Sequence, residues 1–117
     1  MKKLIIAGGR DFNDYNLMCA ELDIFLSDNP DFTIIISGMA KGADSLGTRY
    51  AKEHDINLIE MPANWNKFGR SAGYRRNEEM AKVADGCVCF WDDRSRGTGH
   101  MIDLSIKYGI HSGIVHY

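Results

Sequence analysis

Short, continuous apolar runs alternate with segments of helical period along the whole chain, and few folds tolerate that rhythm. Leu4-Ile5-Ile6-Ala7 stops at Gly8-Gly9, as expected of a strand buried on both faces. Asp14 is then placed to cap a helix with Met18, Leu22, Phe25 and Leu26 on one face, ended by Asn29-Pro30-Asp31. Thr33-Ile34-Ile35-Ile36, rich in β-branched side chains, reads as a second strand closed by Ser37-Gly38. There follow a helix with Ala43, Leu46, Tyr50 and Ala51, a strand from Asn57 to Met61, and a long loop from Pro62 to Gly73. The pattern finishes with a helix carrying Met80, Ala81 and Ala84, a strand Cys87–Trp91, a helix carrying Met101, Leu104 and Tyr108, and a strand near Ile110–His116. Five strands alternating with four helices predict an α/β fold: a parallel five-stranded sheet with helices on both faces, a three-layer sandwich.

With 117 residues the chain has room for one domain, residues 1–117, and no second core. No stretch approaches the ~18 consecutive apolar residues of a membrane span. The opening apolar run breaks at Gly8-Gly9-Arg10-Asp11, short of the ~7–15 residues of a secretory signal. A cytoplasmic protein without membrane contact is therefore the expectation. The net charge of −2 supplies no global attraction to nucleic acid. Cys19, Cys87 and Cys89 are odd in number and lack the spacing of a disulfide framework or zinc knuckle. Cys87 and Cys89 fall on one face of a strand, where cysteine behaves as a small buried apolar residue.

In a sheet of this kind ligands bind outside the carboxyl ends of the strands, and the chain concentrates its glycines and charges in the loops that leave those ends. The first loop, Gly8-Gly9-Arg10-Asp11-Phe12, lets the backbone approach a ligand and offers Arg10 to a phosphate, with Asp11 placed to orient Arg10. The second, Ser37-Gly38-Met39-Ala40-Lys41-Gly42-Ala43-Asp44, leads into a helix whose first N–H groups suit an anion. It lacks the Gly-Lys-Ser/Thr ending of a P-loop, and Asp44 equally fits as a favourable charge in a first helical turn. Between Pro62 and Asn77 stand Lys67, Arg70, Arg75 and Arg76 with no acid among them, a local positive patch. Trp65 and Phe68 either offer flat surface to a base or anchor this loop to the sheet, and Arg76 and Asn77 begin the next helix. In the fourth loop, Asp92 to His100, Ser95, Gly97 and Thr98 are set to wrap a phosphate at a helix start. His100 is either an acid or base titrating near neutrality or a surface residue at that start. Asp92 and Asp93 have no visible partner ligand, so no metal is expected, and no cofactor.

Four segments together resemble the YspA- and YpsA-related branch of the SLOG superfamily. They are Gly8-Gly9-Arg10-Asp11-Phe12; Ser37-Gly38-x-Ala40-x-Gly42-Ala43-Asp44; Gly69-Arg70-x-Ala72-Gly73-x-x-Arg76-Asn77-x-x-Met80; and Ser95-Arg96-Gly97-Thr98-x-His100-Met101-Ile102. The resemblance runs from about Leu4 to Ile110. It implies a Rossmann-like sheet in the order 3-2-1-4-5 and recognition of nucleotides or their derivatives. It also extends, distantly, to the LOG phosphoribohydrolases and to DprA, which holds single-stranded DNA. The hydrolase relatives carry a Pro-Gly-Gly-x-Gly-Thr-x-x-Glu pattern. Aligning Gly97-Thr98 with its Gly-Thr puts Met101 where the catalytic glutamate would stand. A thioether neither polarises water nor stabilises an oxocarbenium ion, and Asp103 is rotated ~200° away on a helix.

The expectation that follows is a binding module for a phosphate-bearing, nucleotide-type small molecule of ADP-ribose, NAD-related or cyclic-nucleotide kind. Its site would draw on Gly8, Gly9, Arg10, Ser37, Gly38, Lys41, Gly42, Asp44, Trp65, Arg70, Arg76, Asn77, Ser95, Gly97 and Thr98. Assembly into a homo-oligomer is expected, since a short chain makes shallow pockets. The alternatives are a nucleotide-processing hydrolase relying on Asp11, Asp44 or His100, and a single-stranded nucleic-acid binder using the Lys67–Arg76 patch, against which the acidic balance counts.

Overall fold

A computed structural model describes every residue from Met1 to Tyr117. In chain order the elements are β1 (Lys2–Gly8), α1 (Tyr15–Asp28), β2 (Phe32–Ser37), α2 (Ala43–Glu53), β3 (Asn57–Glu60), α3 (Trp65–Phe68), a 3-10 turn (Gly69–Ser71), α4 (Ala72–Val83), β4 (Gly86–Trp91), α5 (Arg96–Lys107) and β5 (His111–His116). All neighbouring strands pair in parallel, in the order β3-β2-β1-β4-β5. The α/β architecture is thus the Rossmann-like one expected, with β1 at its centre.

Alternation along the strands divides the apolar residues between two cores. Leu4, Ile6, Val88 and Phe90 face α1 and α2, meeting Met18, Leu22, Tyr50 and Ala51. Ile5, Ala7, Cys87 and Cys89 face α4 and α5, meeting Met80, Ala81, Met101 and Leu104. Leu4, Ile5 and Ile6 are all fully buried, because a central strand has no solvent face to give a polar residue. Each contributes roughly 1.5–3 kcal/mol of apolar transfer free energy. Cys87 and Cys89 carry free thiols whose sulfurs lie 3.6 Å apart. Their mutual contact and burial push the Cys87 thiol up, so it packs as a neutral side chain.

Boundaries differ from expectation where backbone pairing outruns side-chain pattern. β1 begins at Lys2 because Lys2 and Lys3 pair with Phe32 and Ile34 of β2; the ladder is indifferent to the lysine ammonium groups. Asp14 caps α1 as predicted, its carboxylate accepting the Leu17 N–H at 3.0 Å. The stretch Pro62–Gly73, expected as loop, instead holds α3 and the 3-10 turn and runs into α4 from Ala72. Asn64 is the reason: its side chain accepts the Lys67 N–H at 3.1 Å and starts a turn of helix. None of the helices is long and apolar enough to cross a membrane.

The first two loops are stitched together. The Gly9 carbonyl accepts the Ala43 N–H at 3.1 Å, which fastens the end of β1 onto the start of α2. Gly42 caps that helix at φ 76°, and a Cβ there would drive into the backbone of Gly9 and Arg10. Only glycine meets both demands. Gly42→Ala is expected to lower stability by about 2 kcal/mol or more, read as a reduced urea midpoint at unchanged slope.

Candidate functional site

Strand order reverses at β1: the chain steps from β1 to β2 to β3, then returns to β4 on the other side. That leaves a crevice over the carboxyl ends of β1 and β4. A cavity of about 460 Å³ occupies it. Gly8, Arg10 and Asp11 come to it from the first loop, Asp44 from the second, Trp65, Arg70, Arg76 and Asn77 from the third segment, and Ser95, Gly97 and Thr98 from the fourth. Residues scattered over ninety positions of sequence, roughly, converge because four parallel strands end on one edge.

Arg76, in the second turn of α4, is the centre of the constellation. Its Nε donates to the Asn77 side-chain oxygen at 3.1 Å, and its Nη1 donates to the Gly38 carbonyl. The other Nη has no partner in the chain. Burial pulls the guanidinium below its ordinary pKa, opposed by the nearby Asp44, but an arginine stays charged. Asp44 is only 5% exposed. Its Oδ2 accepts the Ala40 N–H at 3.3 Å. Burial pushes the carboxyl up, while Arg76, that N–H and Arg10 pull it back. A Cβ on Gly38 would stand 2.7 Å from both Arg76 Nη1 and Asp44 Oδ2, so the glycine is what lets these two charges approach the end of β2.

Across the cavity, the N-terminus of α5 is built to present an open N–H. The Asp92 carboxylate accepts the N–H groups of Arg94 and Ser95 at 2.9 and 2.8 Å, and these bonds hold it below the usual carboxylate range. Ser95 caps the helix by accepting the Thr98 N–H at 3.4 Å. Gly97, one position earlier, has no intrahelical carbonyl within reach and no side-chain partner, so its N–H and the helix dipole are free for an anion. Asn77, buried between the helices, donates to the Gly97 carbonyl at 3.2 Å and to His100 Nδ1 at 3.3 Å. One side chain thus joins Arg76 to the fourth loop.

Several expected site residues lie behind the wall. The Gly9 N–H is taken by the Phe90 carbonyl at 3.1 Å, and Gly9 and Gly42 serve the stitch between loops. Ser37 is buried beneath, its hydroxyl donating to the Asp44 carbonyl at 3.2 Å. Gly38 makes room for Arg76, and Lys41 is exposed outside the cavity. His100 also stands outside, half-buried, with Tyr74 edge-on at 4.6 Å. Asp11 accepts from Tyr117 at 2.6 Å and forms no ion pair with Arg10. Arg10 instead lies over the Trp65 ring, 5.9 Å from its centre. Phe68 turns away from the cavity, with Arg75 at 4.5 Å and Lys67 at 5.1 Å over its ring, so the basic patch is split between two faces.

Tyr74, Met80 and Tyr117 were not legible as site residues. Tyr74 and Met80 line the cavity; each is three positions from Asn77 on α4, so the helical spacing around Asn77 is a signal that could have found them. Tyr117 packs edge-on against Phe12 at 4.8 Å and steadies the first loop through Asp11. That contact spans 106 positions, and no local pattern announces it.

The bond from Asn77 to His100 Nδ1 requires the neutral imidazole, and burial lowers the His100 pKa in agreement. The folded chain therefore binds fewer protons than the unfolded one between that lowered value and the ordinary ~6.5, so stability is lost as pH falls through this window. Thermal unfolding followed between about pH 7.5 and pH 5 is expected to show that loss, and His100→Gln to flatten it.

The family model described as YAcAr, the YspA, cpYpsA-related SLOG family, matches residues 2–68, which hold the first two loops. The Gene 61 protein of Mycobacterium phage D29 is 32% identical over 116 residues, covering 94% of this chain and 93% of that protein, which carries the likeness past the third and fourth loops. No solved structure matches the chain. With its first two motifs inside the family model and its sheet in the implied order, the chain belongs to the YspA, cpYpsA-related SLOG family.

Proposed function

We propose that the carboxyl-edge cavity binds a phosphate-bearing, nucleotide-derived small molecule of ADP-ribose, NAD-related or cyclic-nucleotide type, with the protein acting as sensor, carrier or sequestering agent. One observation carries this reading: the half-buried Arg76 and the open N–H of Gly97 line the same cavity. A guanidinium with unspent donors and a helix N-terminus share one preferred guest, an anionic oxygen cluster. Trp65, beneath the Arg10 guanidinium at the rim, supplies a flat face for a base. The volume of about 460 Å³ is within the ~300–1,000 Å³ of small-molecule sites. Membership of a SLOG family supports a ligand of this class.

Met101 favours binding over hydrolysis. It is buried and lines the cavity, so an apolar thioether occupies the position where the hydrolase pattern has its glutamate. Asp11 is engaged with Tyr117 and His100 stands outside the wall, which leaves Asp44 as the buried carboxyl on the cavity.

Two or three charge-assisted contacts at ~1.5–3 kcal/mol each support micromolar affinity after the cost of association. Calorimetric titration with AMP, ADP-ribose, NAD and cyclic nucleotides is expected to find at least one such ligand. Arg76→Ala should weaken it about tenfold or more, and Arg10→Ala less, since Arg10 stands at the exposed rim. Silence from the entire panel would retire the proposal.

A further inference from the structure

We infer that the ligand presents a sugar hydroxyl to Asp44, so that the site selects ribonucleotides over their deoxy counterparts; this rests on the nucleotide reading above. A carboxylate inside an anion-binding cavity opposes a phosphate near it, and a ligand that also brings a hydrogen-bond donor turns that cost into a contact. Asp44 is such a group. It is 5% exposed and lines the cavity. Its Oδ2 holds the Ala40 N–H, whereas Oδ1 receives no donor from the chain. No fully enclosed side-chain oxygen of this protein lacks a partner, so Oδ1 keeps contact with solvent on a residue that lines the cavity. Asp44 and Arg76 flank the same point above Gly38 yet form no ion pair, which leaves the carboxylate acceptor unspent.

Position decides which donor it meets. Phosphate held by Arg76 and Gly97 places the directly attached group of a nucleotide, its pentose, beside Asp44. The base is one sugar further out, towards Trp65 and Tyr74, both about half exposed at the rim. The acceptor next to Arg76 therefore reads sugar hydroxyls rather than the base edge. The other carboxylates of the wall, Asp11 and Asp92, each hold their donors on one oxygen and lie more exposed to water than Asp44, so Asp44 is the acceptor sunk inside the cavity.

The test is calorimetry with AMP, 2′-deoxy-AMP, 3′-deoxy-AMP and 2′,3′-dideoxy-AMP. A hydroxyl donating to a buried carboxylate is worth about 10- to 100-fold in affinity, so AMP should exceed dideoxy-AMP by that factor, and one monodeoxy compound should share the loss. In Asp44→Asn the ratio should collapse towards one, with dideoxy-AMP bound more tightly than by the parent because repulsion of the phosphate is lifted. A purely structural role for Asp44 would instead weaken all four together and would overturn the inference. Equal binding of AMP and dideoxy-AMP by the parent protein overturns it while leaving the nucleotide site standing, and this comparison needs no variant to fold. No binding by any of the four overturns the nucleotide reading for this probe and the inference with it.

Discussion

The bond from Arg76 to the Gly38 carbonyl ties α4 to the end of β2, and the arrangement of the carboxyl edge depends on it. A guanidinium is costly to bury, and its burial here is offset by three things: the Gly38 carbonyl, the Asn77 side-chain oxygen and the nearby charge of Asp44. Two of these come from the second loop and its helix start, and the third from α4 itself. Through Asn77 the tie continues to Gly97 and His100 on α5. The third segment is thereby held against the second and fourth loops. A bidentate-capable cation fixed in this way has little rotamer entropy left to lose when an anion arrives.

Charge in the cavity is balanced rather than uniformly positive. Arg10, Arg70 and Arg76 share the wall with Asp11, Asp44 and Asp92. Two of these acids have local structural duties, holding Tyr117 and the turn before α5. A wall of mixed sign suits a ligand with an anionic end and hydroxyl or amine donors elsewhere better than a bare polyanion. Met80 and Met101, both buried, give the cavity an apolar floor.

The fold was legible because parallel sheets impose an unmistakable pattern. Burial on both faces forces Leu4 to Ala7 and Cys87 to Phe90 to be continuously apolar, and the helices between them must carry one apolar stripe. The strand order came from the likeness of four loop motifs, since periodicity says nothing about which strand lies beside which. Within the site, Arg10, Arg76, Gly97 and Thr98 were recognisable from loop chemistry at strand ends. Gly9, Gly38 and Gly42 looked like phosphate cradles; none lines the cavity, and each lies against a neighbouring loop or side chain, because a glycine needed for close backbone approach looks the same in sequence whether the neighbour is a ligand or another loop.

Local rules also missed the turn of helix at Trp65–Phe68, where Asn64 supplies a cap within a stretch that otherwise lacks a helical stripe. The residues alone dictated the elements, their alternation and the chemistry available at each loop, for these follow from periodicity and propensity over a few neighbouring positions. Only the folded chain decided which loops meet. It directed Trp65 to the cavity and Phe68 away from it, stacked Arg10 on an aromatic ring instead of pairing it with Asp11, and buried Asp44 beside Arg76. Those outcomes are set by distances between groups far apart along the chain, which exist only once the sheet has brought its strand ends to a common edge.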